Sequence, residues 1–166
     1  MENHTHHPAD KSLLAAIDLG SNSFRLEIGR LDSGHIERVE YLKEAVRQGG
    51  GLDEDRNLTP EAIERGLKCL ARFAERIKGF DAAHVRAVAT QTLREANNRE
   101  VFTKLAKKTL GFDVEVISGV EEARLIYQGV SRFLPQSNEK RLVIDIGGRS
   151  TEFILGQGFT AHHTAS

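Results

Sequence analysis

The sequence predicts an α/β fold built on a mixed sheet. Three extended segments come first, and helical and extended segments then alternate along the chain. Chains of this order form layers of helices against a sheet that has both parallel and antiparallel neighbours. A second strand–turn–strand pattern begins at Arg141, and it predicts the start of a second domain of the same kind.

The three leading strands are expected over residues 13–18, 23–31 and 35–47. Turn-forming residues at 31–34 join the last two strands, so an antiparallel meander is the simplest arrangement. The glycine-rich residues 48–51 then predict a flexible loop.

The first helix is expected to begin at Thr59-Pro60, with Thr as the N-cap and Pro at the first helical position. Gly79 is the expected C-terminal stop. Cys69, the single cysteine, excludes an internal disulfide framework and is interpreted as a buried structural thiol. Apolar residues recur at helical spacing and give the helix one apolar face: Ile63, Leu67, Leu70, Phe73, Ala74 and Ile77.

Strands and helices alternate in the rest of the chain. The second helix is expected to end at Gly111, and residues 135–140 form a polar connector. The third helix is expected to turn Leu125, Ile126 and Val130 inward. Strands are predicted at 85–90, 114–117 and 141–146, and helices at 99–110 and 120–133.

Length and composition are those of a soluble globular protein. The 166 residues suffice for one domain, or for one domain and part of another, with 39% apolar and 28% charged residues. No apolar run approaches the ~20 residues that span a bilayer. The polar start is not a secretory signal, so the cytoplasm is the expected location. The net charge of -1 argues against holding nucleic acid by bulk charge.

Both ends of the chain carry histidines that we do not interpret as metal ligands. Residues 1–11 are predicted to form a flexible tail, and terminal segments of this kind are usually loose. The histidines concerned are His4, His6, His7, His162 and His163.

Two short turns carry the most informative chemistry of the sequence. Residues 18–23 read Asp-Leu-Gly-Ser-Asn-Ser, and residues 145–152 read Asp-Ile-Gly-Gly-Arg-Ser-Thr-Glu. Each follows an apolar run and precedes an alternating one, which is typical of a strand, a tight turn and a second strand. Glycine allows positive φ and a close approach of backbone N–H groups to an anion.

The aspartate at the start of each turn suits a different ligand. A carboxylate does not favour phosphate directly, but it can hold a divalent cation, usually through water for Mg²⁺. Two such turns, each rich in hydroxyl groups, predict two halves of one phosphate clamp with Asp18 and Asp145 as the metal anchors.

Four ordered segments resemble the exopolyphosphatase and guanosine pentaphosphate phosphohydrolase family of the actin, sugar-kinase and heat-shock-ATPase superfamily. These segments are residues 16–25, 89–96, 117–126 and 143–152. The resemblance implies two ribonuclease-H-like domains that face each other across a cleft. It implies a first domain over 12–134 and an incomplete second domain over 135–166.

The resemblance also implies an activity and its residues. Family members release terminal phosphate from inorganic polyphosphate, or from the 5′ end of guanosine pentaphosphate, with Mg²⁺. By position, Glu122 matches the carboxylate that positions or deprotonates the attacking water, Glu152 matches a second carboxylate, and Arg94 matches a phosphate-contacting arginine. The phosphate-binding residues would be Gly20, Ser21, Asn22 and Ser23 in the first turn, and Gly147, Gly148, Arg149, Ser150 and Thr151 in the second.

Simpler interpretations of the same residues stay open. Glu121 and Glu122 are ordinary first-turn carboxylates of a helix, where acidic residues are favoured in any case. Arg94 alone would be a surface arginine, and Glu152 could be solvated. Thr90, Gln91 and Thr92 could cap the helix that carries Arg94.

The second turn departs from the family pattern, because Arg149 stands where the family has a third glycine. An arginine there would not favour positive φ, and its side chain could crowd the backbone where phosphate approaches. Alternatively, its guanidinium could fork onto a phosphate and strengthen binding.

The chain stops at Ser166, soon after the second turn, so the expected second domain has one hairpin and no core of its own. An isolated hairpin is marginal in water. It is expected to pack on the first domain, to pair with another copy in a homodimer, or to expose apolar surface. Because a cleft needs two walls, weak or no phosphatase activity is expected of this chain by itself.

Two further hypotheses come from other functional classes. One is a non-catalytic module that binds polyphosphate or a guanosine alarmone and signals by domain closure. The other is a sugar or acetate kinase of the same superfamily, which would need an adenosine pocket.

Overall fold

Two β-sheets organise residues 13–166, which are the residues that this computed structural model describes. The predicted tail at 1–11 and its histidines lie outside the described residues. In chain order the elements are β1 (Leu13–Leu19), β2 (Phe24–Asp32), β3 (His35–Glu44), α1 (Pro60–Arg76), β4 (Val85–Ala89), α2 (Gln91–Glu95), α3 (Arg99–Leu110), β5 (Val114–Val116), α4 (Gly119–Phe133), β6 (Lys140–Ile146), β7 (Thr151–Gln157) and β8 (Thr160–Ala165).

The first sheet is mixed and has the strand order β3-β2-β1-β4-β5. Strands β1, β2 and β3 form the antiparallel meander predicted from the sequence, and β4 and β5 join as parallel strands. We call this sheet with α1, α2 and α3 the first lobe. Its core includes buried residues of strands and helices alike, among them Ile17, Leu26, Leu70, Phe73 and Phe102.

Helices α1 and α3 form as their capping residues predict. Thr59 Oγ1 accepts a hydrogen bond from the Ala62 N–H at 3.3 Å, and Pro60 opens α1. The helix ends at Arg76, before Gly79. Cys69 is buried, and burial raises the pKa of its thiol to about 12, as expected of an inert structural thiol. Helix α3 has the predicted bounds and ends at Gly111 with φ 86°.

The prediction of a flexible loop at residues 48–51 is wrong. Gln48–Gly51 forms a 3-10 turn in which Gln48, Gly49 and Gly51 are buried. Glycine serves close packing here, because a Cβ on Gly51 would overlap the Cβ of Ala62 on α1. The strand before it also ends earlier than predicted, at Glu44.

The second sheet has the strand order β6-β7-β8, with antiparallel neighbours. Strand β8 was not predicted, because its sequence is mostly polar. Helix α4 packs against this sheet, and we call α4 with β6, β7 and β8 the second lobe.

Packing against the second sheet decides which face of α4 is buried. The predicted inward residues Leu125, Ile126 and Val130 are only partly buried. Ala123, Tyr127 and Ser131 are buried instead, one helical turn apart. The predicted face is wrong because contacts of α4 with β6, β7 and β8 decide which residues are covered.

The second lobe has a small core, so the expectation of a hairpin without one is wrong. Ala123, Tyr127 and Ile154 form a buried cluster. The Tyr127 ring lies so close to Gly156 that a Cβ there would overlap it, and the phenol donates a hydrogen bond to the Gly158 carbonyl at 3.2 Å. The predicted domain boundary at residue 134 stays a prediction.

Candidate active site

The two predicted turns face each other across a cleft of about 380 Å³ between the lobes. The first turn joins β1 to β2, and the second joins β6 to β7. Most of the predicted site residues line this cleft: Asp18, Gly20, Ser21, Asn22, Ser23, Glu122, Asp145, Gly147, Gly148, Ser150 and Glu152.

The first turn is held from behind by the rest of the first lobe. The Ser21 carbonyl accepts a hydrogen bond from Gly49 N–H, and the Asn22 carbonyl accepts one from Arg47 N–H, both at 2.8 Å. Thr92 Oγ1 donates to Ser21 Oγ at 2.7 Å. These bonds fix the turn before any ligand arrives, which lowers the entropic cost of binding an anion.

Glycine in the two turns serves close approach rather than positive φ, so that part of the prediction is wrong. Among the described residues, the glycines with positive φ are Gly34, Gly79, Gly111 and Gly158. The turn glycines are crowded instead, because a side chain would meet neighbouring atoms. A Cβ would lie 2.9 Å from the Ser23 carbonyl oxygen at Gly20, 3.2 Å from the Ser150 carbonyl oxygen at Gly147, and 3.3 Å from the Asn22 Cβ at Gly148.

The tips of the two turns therefore lie against each other. Gly148 sits beside both Ser21 and Asn22 of the opposite turn. Within the second turn, Gly147 N–H donates to the Ser150 carbonyl at 2.9 Å and closes the loop. The hydroxyl groups and backbone amides of both turns thus surround one small volume.

Carboxylates from both lobes converge on this volume. Asp18 lies on β1, and its carboxylate forms a 3.0 Å ion pair with Arg25 Nη1. Burial raises the pKa of Asp18 above its usual value, Arg25 opposes that rise, and the nearby Asp145 adds to it. Asp145 and Glu152 are direct cross-strand partners on β6 and β7.

Glu122 is held by a short ion pair at the start of α4. Ser118 caps α4 and accepts from Glu121 N–H, which places Glu122 in the first turn of the helix. Arg94 Nη1 donates to Glu122 Oε2 at 2.7 Å. Burial raises the pKa of Glu122 against the lowering effect of Arg94, and Glu152 and Asp18 raise it further.

Arg94 does not line the cleft, and its guanidinium binds protein groups. Besides Glu122, it donates to the Ile117 carbonyl at 2.9 Å, and its Nε and Nη2 both donate to Gln91 Oε1. Its side chain is 18% exposed. The surface interpretation of Arg94 is therefore wrong, and its geometry is that of a residue orienting Glu122.

Glu152 is 1% exposed, so the interpretation as a solvated strand residue is wrong. Its Oε1 accepts a hydrogen bond from Ser166 Oγ at 3.1 Å. Its Oε2 is buried without a hydrogen-bond partner among the described residues. A buried, unpartnered carboxylate oxygen at the edge of a cleft is costly unless a ligand satisfies it.

Arg149 contacts the first lobe, and its predicted binding of phosphate stays a prediction. Its φ is not positive, and its side chain does not line the cleft. Its Nη2 makes a 2.6 Å ion pair with Glu95 Oε2, and its Nη1 donates to the Gly49 carbonyl at 3.3 Å. Thr151, at the start of β7, also lies outside the lining.

Sequence reasoning missed two cations at the cleft, Arg25 and Lys43. They are cross-strand partners on β2 and β3, and Arg25 also pairs with Asp18 on β1. The strand register of the meander predicts that these residues are neighbours, because directly opposed residues on adjacent strands point to the same face of the sheet. Ile146 and Thr90 line the cleft as well, and Thr90 makes no side-chain cap to α2.

Comparison with known proteins finds a matching family and similar relatives. A model described as the Ppx/GppA phosphatase family matches residues 28–166. A Vibrio vulnificus protein named guanosine-5′-triphosphate,3′-diphosphate pyrophosphatase is 49% identical over 149 residues, which are 90% of this chain and 30% of that protein. The chain thus spans less than a third of that relative.

Solved structures agree with the predicted fold class. An exopolyphosphatase from Cytophaga hutchinsonii has a TM-score of 0.85 at 33% identity, over 92% of this chain and 49% of that one. The Aquifex aeolicus Ppx/GppA enzyme has a TM-score of 0.79 at 30% identity, over 92% of this chain and 51% of that one. Within residues 13–166, no helix combines the length and apolar character that crossing a bilayer requires.

Proposed function

The chain belongs to the Ppx/GppA phosphatase family, and from this premise we propose that it builds the catalytic cleft of a hydrolase acting on phosphoanhydride bonds. The observation that carries the proposal is the position of Glu122. A largely buried carboxylate, oriented by Arg94, faces two hydroxyl-rich turns across one cleft. Phosphoryl transfer depends on such positioning and on charge stabilisation more than on covalent catalysis.

The terminal phosphate of the substrate would lie between the two turns. Backbone N–H groups of the turns and the hydroxyls of Ser21, Ser23 and Ser150 would donate to its oxygens. Arg25 and Lys43 place two cations at the cleft, where further phosphates of a chain would lie. These donors hold the phosphorus in place for attack by water.

Glu122 would act as the general base. One oxygen of its carboxylate is fixed by Arg94, and the other would accept a proton from water. The water oxygen then forms a bond to the terminal phosphorus, and the bond from that phosphorus to the bridging oxygen breaks. The shortened phosphate chain leaves with the electron pair. Burial raises the pKa of Glu122, which makes it a stronger base than an exposed glutamate.

The donor set around the cleft fits Mg²⁺ held mainly through water. Asp18 and Asp145 are close enough for their charges to interact, and Glu152 has a buried oxygen without a partner among the described residues. Mg²⁺ keeps much of its hydration shell, so it needs few direct protein ligands. When bound, Mg²⁺ would neutralise charge on the phosphate oxygens.

Two substrates share the required chemistry. The higher identity to the Vibrio vulnificus pyrophosphatase favours the 5′-triphosphate end of guanosine 5′-triphosphate 3′-diphosphate. The similarity to the Cytophaga hutchinsonii exopolyphosphatase supports inorganic polyphosphate as the second candidate. Both present a terminal phosphate on an anhydride chain.

Phosphate release from each substrate tests the proposal. The purified chain is incubated with either substrate, with Mg²⁺ or with EDTA, and free phosphate is measured with malachite green. In line with the weak activity expected of this chain by itself, we expect slow release that depends on Mg²⁺ and is faster for the nucleotide. Binding of both ligands without release would instead identify a non-catalytic binding module, and the absence of both binding and release would contradict the proposal.

A further inference from the structure

We infer that Arg149 is a positioning residue that fastens the second turn to the first lobe and sets the separation of the two turns. Its role in phosphate binding rests on the proposed function, whereas its role in joining the lobes does not. Arg149 lies in the turn of the second lobe, and both of its partners lie in the first.

The Arg149 side chain is held at both its guanidinium and its aliphatic stem. Its guanidinium binds Glu95 with Nη2 at 2.6 Å and the Gly49 carbonyl with Nη1 at 3.3 Å. A Cβ on Gly49 would lie 2.5 Å from Arg149 Cδ, so the glycine makes room for the arginine stem. Two hydrogen bonds and a packed stem restrain a long side chain more than an exposed ion pair would.

The surface that receives Arg149 also supports the first turn. Gly49 donates its N–H to the Ser21 carbonyl, and Thr92 on α2 donates to Ser21 Oγ. Arg149 therefore holds the second turn to the same 3-10 turn and helix that fix the first. Loss of this contact would let the turns move apart without unfolding either one.

A continuous chain of hydrogen bonds extends from Arg149 to Glu122. Gln91 Nε2 donates to Glu95 Oε1 at 2.7 Å, and Gln91 Oε1 accepts from Arg94. Arg94 in turn holds Glu122. The short helix α2 thus carries the residue that receives Arg149 and the residue that orients Glu122, so one element fixes three parts of the site.

Distances between the lobes test the inference directly. Spin labels are attached at Glu100→Cys on α3 and His162→Cys on β8, both exposed positions, in a Cys69→Ala background. We expect Arg149→Ala and Glu95→Ala to broaden the label–label distance distribution and shift it to longer values. Arg149→Lys should restore part of the narrow distribution, because one of the two hydrogen bonds can re-form. Arg38→Ala, which removes the exposed ion pair to Glu27, is the matched control and should leave it unchanged.

Binding of tripolyphosphate with Mg²⁺, measured by calorimetry, separates positioning from direct contact. If Arg149 positions the turn, Arg149→Ala and Glu95→Ala should each weaken binding by about three- to tenfold, and the double variant should be no worse than either. If Arg149 instead contacts phosphate, Glu95→Ala would leave binding unchanged or tighten it.

The outcomes of the two experiments remain distinguishable. An unchanged distance distribution in both alanine variants, with folding verified by circular dichroism, overturns the inference. Wild-type protein that does not bind tripolyphosphate would count against the proposed function, while the label distances would still decide whether Arg149 joins the lobes.

Discussion

Arg94 Nη1 and Glu122 Oε2 lie 2.7 Å apart in an ion pair whose side chains are only 18% and 14% exposed. The pair crosses from α2 to the first turn of α4, so it joins the two lobes beside the cleft. Burial and the nearby charges of Glu152 and Asp18 raise the pKa of Glu122, and Arg94 lowers it, with a net rise. The carboxylate is thus fixed in orientation without losing its basicity.

Replacing Arg94 should change both the orientation and the titration of Glu122. In Arg94→Ala the pKa of Glu122 should rise further, because a cation that lowers it is removed. The acid limb of the pH–rate profile for phosphate release should therefore move to higher pH, and kcat should fall by about 100-fold. Arg124→Ala, which removes the partner of Glu121, is the control. An unmoved acid limb in Arg94→Ala would show that Arg94 does not set the titration of Glu122.

Removing either cleft aspartate should weaken the binding of Mg²⁺. We expect Asp18→Asn and Asp145→Asn each to raise the Mg²⁺ concentration for half-maximal phosphate release by about tenfold or more. Asp113→Asn, which removes an exposed partner of Lys107, is the matched control. A Mg²⁺ titration measures the effect, and identical curves for all four proteins would contradict the assignment of Asp18 and Asp145.

The charged form of Glu122 should lower the free energy of unfolding at neutral pH. Its pKa in the folded protein is raised above the unfolded value, so its contribution to stability is complete below about pH 4.5 and is lost as the pH rises through the folded pKa. Glu122→Gln should therefore have a higher Tm than wild type at pH 7, and the difference should shrink towards pH 4. A lower Tm for the variant at pH 7 would show that the charged pair with Arg94 stabilises the fold.

The core of the second lobe depends on the absence of a side chain at Gly156. In Gly156→Ala the new methyl group would meet the Tyr127 ring and lie 2.6 Å from the Thr160 carbonyl oxygen. Overpacking of this kind should cost about 1–3 kcal/mol in the free energy of unfolding, measured by urea denaturation.

Gly129→Ala is the matched control for that variant. Gly129 lies in α4, and a Cβ there would have no neighbour within 4 Å. Alanine in an open helical position should raise stability by about 0.5–1 kcal/mol. Equal effects of the two substitutions would show that Tyr127 is not packed on Gly156.

Local sequence chemistry predicted the elements that carry their own signals. Thr59-Pro60 began α1, Gly111 ended α3, and the mixed sheet was predicted from the order of strands and helices. The two turns were recognised by their aspartates and hydroxyl groups, and the structure brings them together. These features depend on neighbours in the chain, so they can be read from it.

Features that depend on distant packing were not predictable in the same way. The partners of Arg149 lie 54 and 100 residues away in the chain. The buried face of α4 follows from the second sheet, whose strand β8 has no strong apolar pattern. The structural roles of Gly49 and Gly51 come from contacts with Arg149 and Ala62, whereas the sequence suggested flexibility.

We propose Glu122 as the base of a phosphoanhydride hydrolase, and a comparison of Glu122→Gln with Glu121→Gln tests this role. The two glutamates are adjacent in α4, but Glu121 pairs with Arg124 and Arg86 outside the cleft. Phosphate release from guanosine 5′-triphosphate 3′-diphosphate with Mg²⁺ is measured for both variants. We expect release to be lost in Glu122→Gln with binding retained, and to be near wild type in Glu121→Gln. Wild-type release by Glu122→Gln would contradict it.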